Sequence, residues 1–241
     1  MIRFLLMKRT LGRMVVPIIL FTLSSCQEQE EPQEAFQLLE ATLPQIEGAL
    51  ASGTITSQDL VKMYLARIAA YDQQGPSLNA IITVNPNALA EAKELDAERA
   101  ATGPRSLLHG IPVIVKDNYE TQDMQTTAGS LSLAGWVPPH DAFLVKRLRE
   151  GGAIILAKAT LHEFAMGIIT VGSLFGQTRN PYALDRNPGG SSGGTGAAVA
   201  ANFAAVGLGF SSFLLNTKGT PHRTIRNARQ TVHQRAMRTF A

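Results

Sequence analysis

The sequence predicts an α/β layered domain, and two observations carry that prediction. Short apolar runs recur at residues 80–84, 111–115 and 153–157. Between them lie longer segments with helical periodicity and helix-start signals. Strands that alternate with helices build layered α/β domains. A chain of 241 residues can bury a sizeable core, as one large domain or two small ones. No internal repeat is visible.

The elements follow in order. Thr56-Ser57-Gln58-Asp59 opens a helix with a capping-box-like signal. Leu60, Met63, Tyr64, Arg67, Ile68 and Tyr71 then fall on one face, Arg67 contributing its aliphatic stem. Residues 72–76 end that helix. Residues 80–84 read as a buried strand. Asn85-Pro86 opens a second helix, with Pro86 at the first helical position and Leu89, Ala92, Leu95 and Ala97 along it. Gly103-Pro104 stops it. Residues 111–115 form a continuously apolar strand, as expected when both faces of a sheet are covered. A helix over 142–150 ends at Gly151-Gly152, and a third strand follows over 153–157. His162-Glu163 reads as the start of a further helix. Residues 197–204 read as a helix, and residues 205–209 as the start of a fourth strand.

Composition fits a globular protein with an apolar leader: hydrophobic residues make up 45% and charged residues 17%. The net charge of +3 is segregated. Residues 1–209 carry 16 basic and 19 acidic side chains, whereas residues 210–241 carry six basic and none acidic. The body is therefore slightly acidic, and no nucleic-acid partner is expected for it. Cys26 is the only cysteine, so no intramolecular disulfide can form.

The first 26 residues look like an export signal. Arg3, Lys8, Arg9 and Arg13 precede an apolar run from Met14 to Leu23, broken only by Pro17 and Thr22. That run is too short to span a membrane and suits the central region of a signal peptide. Leu23-Ser24-Ser25-Cys26 follows and resembles a bacterial lipobox, whose cysteine is acylated. The alternative is an ordinary signal peptide with an incidental cysteine. The lipobox reading implies an exported protein anchored through Cys26. With Gln27 next, it would sit on the periplasmic face of the outer membrane. Residues 27–38 then form a polar tether, rich in glutamate.

The most informative stretch is Asn187-Pro188-Gly189-Gly190-Ser191-Ser192-Gly193-Gly194-Thr195-Gly196. Glycine lets backbone approach backbone or ligand. A serine pair inside such a run, opening a helix, places a hydroxyl in an unusual, tightly held position. A flexible Gly/Ser linker is the bland alternative, but the flanking segments read as buried rather than polar. This run resembles the signature of the amidase-signature family, hydrolases that use a serine nucleophile, a bridging serine and a lysine. Leu108-His109-Gly110-Ile111-Pro112-Val113-Ile114-Val115-Lys116-Asp117 resembles the family's lysine motif. Residues 126–130 and 152–160 resemble its intervening segments. The similarity runs from about residue 40 to Gly209.

The resemblance implies an α/β layered fold with a mixed sheet flanked by helices, incomplete after about residue 209. It divides the chain into a leader (1–26), a tether (27–38), a partial amidase-signature domain (39–209) and an aberrant basic tail (210–241). It makes Lys116 the general base. A lysine can take that role only when neutral, so burial must lower its pKa. Ser191 becomes the bridging serine, with a cis peptide bond after Gly190. Ser192 becomes a supporting hydrogen-bond partner, a plain helix-capping role being equally open. No cofactor is implied. His109, His140 and His162 have no metal-ligand spacing, so no metal site is expected.

After Gly209 the chain departs from the family. The nucleophilic serine is expected some two dozen positions beyond the bridging serine, which falls at Leu215. Phe213, Leu214 and Asn216 flank it, with no serine or glycine among them. Ser211 and Ser212 come too early to substitute without rebuilding the loop. The basic tail has three readings: a frameshifted continuation, a natural variant, or a basic arm. Two functions follow. One is an amidase hydrolysing a small-molecule or peptide amide, the 241 residues themselves being inactive for want of the nucleophile. The other is a non-catalytic, truncated or lipid-anchored remnant. Export argues against the branch of the family that acts on aminoacyl-tRNA.

Overall fold

The computed structural model describes residues 36–210. In chain order these form α1 (Leu43–Ala51), α2 (Ser57–Tyr71), β1 (Ile81–Val84), α3 (Ala88–Thr102), β2 (Pro112–Lys116), α4 (Phe143–Glu150) and β3 (Ile154–Ala159). A small hairpin of β4 (Val171–Gly172) and β5 (Gly176–Gln177) follows, then α5 (Gly193–Ala200) and β6 (Val206–Leu208). The predicted leader with Cys26, the tether to residue 35 and the tail from residue 211 lie outside the described residues.

The main sheet has the order β1-β3-β2-β6. β2 runs parallel to both β3 and β6, and β1 joins β3 antiparallel. The sheet is therefore mixed and carries helices, as the sequence predicts. β2 and β3 are buried at every position. Their near-continuous apolar composition follows from cover on both faces. One face packs against α1, α2 and α5 through Ile46, Leu60, Tyr64, Ile114, Ile154 and Phe203. The other packs Val113, Val115 and Ile155 against Val145 and Leu148 of α4, with Met124. The central strand thus ends in the middle of the domain, with Lys116 as its last residue.

α2 begins as expected. Thr56 accepts a hydrogen bond from Asp59 N, and the Asp59 side chain accepts one from Thr56 N, so the capping box is complete. Leu60, Tyr64 and Ile68 are buried; Tyr71 is exposed, beneath the guanidinium of Arg67.

Several expectations are corrected. β1 is half exposed rather than buried, because it borders the sheet; Val84 is open to solvent. α3 starts at Ala88, two residues after Pro86. The buried Asn85 side chain accepts a hydrogen bond from Asn87 N and donates to Ile155 O, so it forms a turn tied to β3 before the helix begins. The buried face of α3 is Ala88, Ala92 and Leu95; Leu89 and Ala97 face outward. His162-Glu163 opens only a single 3-10 turn, Glu163–Ala165, because Phe164 and Ala165 both adopt positive φ. α5 starts inside the glycine run at Gly193 and ends at Ala200, four residues earlier than predicted at each end.

Candidate active site

Lys116 leaves the C-terminal end of β2 with only 1% of its surface exposed. Its Nζ donates to Ser191 Oγ at 2.8 Å and to Phe210 O at 2.9 Å. Burial pushes its amine down to about 8 from the ordinary 10.5. A substantial fraction is thus neutral just above physiological pH, and a neutral amine can accept a proton.

Ser191 reaches Lys116 from the turn before α5, in which the Gly190–Ser191 peptide bond is cis. Side-chain and backbone contacts hold that turn. The Ser191 carbonyl accepts from His162 N at 2.9 Å. Thr170 Oγ1 donates to Gly189 O at 2.6 Å and accepts from Gly193 N at 3.0 Å, bracing both sides of Ser191. Glycine is required here by close approach: a Cβ at Gly194 would run into the backbone and side chain of Thr160, just beyond the end of β3. The N-terminus of α5 can therefore seat directly on the sheet, which brings Ser191 to the end of β2.

Ser192 is half-buried and occupies the N-cap position of α5, yet its side chain makes no capping hydrogen bond. Its Oγ donates instead to Phe210 O at 2.6 Å. Lys116 and Ser192 thus share one carbonyl, at the point where the chain leaves β6. The segment around Leu215, where the family's nucleophile is expected, lies outside the described residues, as do Ser211, Ser212 and Cys26.

Among the described residues, His109 and His162 serve the framework. His109 is buried, with Nδ1 accepting from Arg105 N and Nε2 bonded to Leu95 O. His162 Nδ1 accepts from Ile169 N at 3.3 Å. His140 is exposed. Among the described residues, no group of three or more His, Cys, Asp or Glu side chains is arranged to hold a metal ion, and no helix is long and apolar enough to cross a membrane.

Sequence reasoning missed two parts of this neighbourhood. One is Thr170, whose left-handed φ of 56° gives no signal in the sequence. The other is a buried ion pair beside Lys116. Lys158 of β3 and Asp117 are both fully buried, and Lys158 Nζ lies 3.0 Å from Asp117 Oδ1. Lys158 also donates to Thr126 Oγ1 at 2.8 Å and Gln125 O at 3.1 Å. Burial draws its amine below the usual lysine value, opposed by the Asp117 charge. A lysine inside the apolar run Ile154–Ala159 was the available signal.

A serine in a glycine-rich turn, hydrogen-bonded to a buried lysine of lowered basicity on an α/β layered fold, is an arrangement of the serine–lysine class, able to pass a proton between hydroxyl and amine. Comparison with known proteins makes the class specific. The family model described as Amidase matches residues 59–210, and the chain belongs to this amidase-signature family. The native peptide amidase from Stenotrophomonas maltophilia superimposes with a TM-score of 0.68 at 45% identity, covering 70% of this chain and 36% of that one. An amidase family protein from Bacillus anthracis str. Ames gives 0.68 at 38% identity, covering 71% and 35%. A glutamyl-tRNA(Gln) amidotransferase chain from Thermobifida fusca is 45% identical over 174 residues, 72% of this chain and 34% of that relative. The chain spans about a third of the length of the relatives it matches.

Proposed function

We propose that this chain carries the base and bridging serine of an amidase that hydrolyses a linear carboxamide, such as a peptide amide or another small acyl amide. The observation that carries the reading is the 2.8 Å hydrogen bond between Lys116 Nζ and Ser191 Oγ at a buried, weakened amine. With Lys116 neutral, Ser191 accepts the proton of an attacking hydroxyl and passes its own to Nζ along that same line. In the reverse sense it delivers a proton to the leaving amine. Ser192 supports the pair through the shared Phe210 carbonyl. The basic, apolar, cysteine-terminated leader supports export and attachment through Cys26, and so favours an amide met outside the cytoplasm over aminoacyl-tRNA.

A second reading is favoured by one observation. Phe213, Leu214, Leu215 and Asn216 stand where the family's nucleophilic serine is expected. Base and bridge without a nucleophile relay no productive proton, and hydrolases lacking the nucleophile lose most of their rate. On this reading the 241 residues are inactive as an amidase and form a non-catalytic lipid-anchored module. The purified chain, incubated with a peptide amide, releases no ammonia above the buffer control. Ammonia release that disappears in Lys116→Ala overturns the inactive reading and leaves the amidase reading standing.

A further inference from the structure

The residue after the base is a carboxylate, which presents an electrostatic problem. An anion close to a lysine stabilises its ammonium form, the form that cannot accept a proton. Asp117 is adjacent in the chain to Lys116 and is fully buried, so solvent does little to screen it. Its backbone continues the ladder, with Asp117 N donating to Ala159 O at 3.0 Å. Successive side chains of an extended strand point to opposite faces. Asp117 accordingly turns to the face opposite Lys116, where Lys158 waits.

Each oxygen of the Asp117 carboxylate meets a partner there, Oδ1 by charge alone. Oδ1 faces Lys158 Nζ in an ion-pair contact, while Oδ2 accepts from Thr127 N at 2.9 Å and from Thr127 Oγ1. Lys158 in turn gathers Thr126 and Gln125 from the same loop, and Ala128 N donates to Asp117 O at 3.1 Å. Three further carboxylates gather on one guanidinium, and two of them, Asp123 and Asp141, also favour the charged form of Lys158. Asp123 and Asp141 lie 2.6 and 3.1 Å from Arg149 of α4, and Glu91 of α3 lies 3.6 Å from it. α5, β6 and β1 carry no ionisable side chain.

We propose that Lys158 is a positioning residue for the hydrolytic base: its ammonium captures the Asp117 carboxylate, neutralises the charge next to Lys116, and leaves the Lys116 amine free to act as a base. The burial that weakens the Lys116 amine can then work unopposed. The inference rests on the reading of Lys116 as the proton acceptor and adds to it a second lysine that touches neither substrate nor reacting atoms.

The test follows the ionisation of Lys116 rather than turnover. The full chain is labelled with 13Cε-lysine, the Lys116 resonance is assigned with Lys116→Met, and its titration is followed by NMR. Charges on the order of 9 Å apart, at an effective dielectric of about 20, shift a titration by about one pH unit. Lys158→Met therefore raises the Lys116 midpoint by about one unit, roughly tenfold fewer neutral amines. Asp117→Asn lowers it by a similar amount. Lys158→Arg keeps it near the unsubstituted value, and the double variant Asp117→Asn/Lys158→Met restores it. A structural pair alone predicts none of these opposed signs. An unchanged midpoint in folded Lys158→Met, or a double variant that shifts like the single one, overturns the proposal. Should Lys158→Met fail to fold, an unchanged midpoint in Asp117→Asn overturns it equally. If Lys116 in the unsubstituted chain titrates at the ordinary lysine value, the base reading itself fails, and that result is distinct from the others.

Discussion

Replacing Lys116 by methionine keeps length and apolar bulk but removes the ionisable amine, and its consequence for stability depends on pH in a calculable way. In the folded chain the amine titrates at about 8, against 10.5 for the free side chain. Between those values the unfolded chain binds a proton that the folded chain has released, so stability rises with pH across this window. Below about 8 both states are protonated, and the folded state bears the full cost of a buried ammonium. Above 10.5 both are neutral and the cost is gone. The gap converts to roughly 3 kcal/mol. Lys116→Met has no such term; its penalty is the lost partner of Ser191 Oγ, about 1–3 kcal/mol and nearly constant with pH. Phe210 O keeps its hydrogen bond from Ser192. Urea unfolding of both proteins from about pH 7 to pH 11 checks this, since all other titrations are shared and cancel. The unsubstituted chain gains about 3 kcal/mol on the variant over that range. Two stability curves that run parallel refute the claim that position 116 holds a destabilised charge.

Two further outcomes follow. Gly194→Ala forces a methyl group into Thr160 and costs about 2–3 kcal/mol or more, whereas Gly196→Ala meets open space and gains about 0.5–1 kcal/mol in helix propensity; urea midpoints of the two variants separate them. In a Gram-negative host, Cys26→Ala abolishes incorporation of labelled palmitate and releases the chain from the membrane fraction; incorporation that persists in the variant rules out the anchor.

Much of the scaffold is legible because local and tertiary demands agree there. The capping box at Thr56 is satisfied within four residues, and β2 is apolar at nearly every position that the layers cover. The predicted partners Lys116 and Ser191 meet, although the resemblance rather than any periodicity joins them across 75 positions. The misses share a different cause. Pro86 reads as a helix opener, yet the Asn85 side chain holds the preceding turn against Ile155. The segment after His162 reads as helical, but its backbone bends to hydrogen-bond Ser191 O and Ala128 O. Thr170 and Lys158 act through partners far away in sequence. For Thr170 the neighbours give no pattern; for Lys158 the apolar run around it marks a buried lysine but not its partner, because the contact exists only after the sheet has closed.

That closure gives the site an unusual dependence on folding order. Val113 pairs with Val206, so the inner strand, already beside β3, acquires its second neighbour from the far end of the described chain. Contacts of such long range carry a large loop-closure entropy and tend to form slowly. The Lys116–Ser191 hydrogen bond, spanning 75 positions, carries the same kind of closure cost. The meeting of these two side chains is thus a property of the closed sheet and of no local segment of the chain.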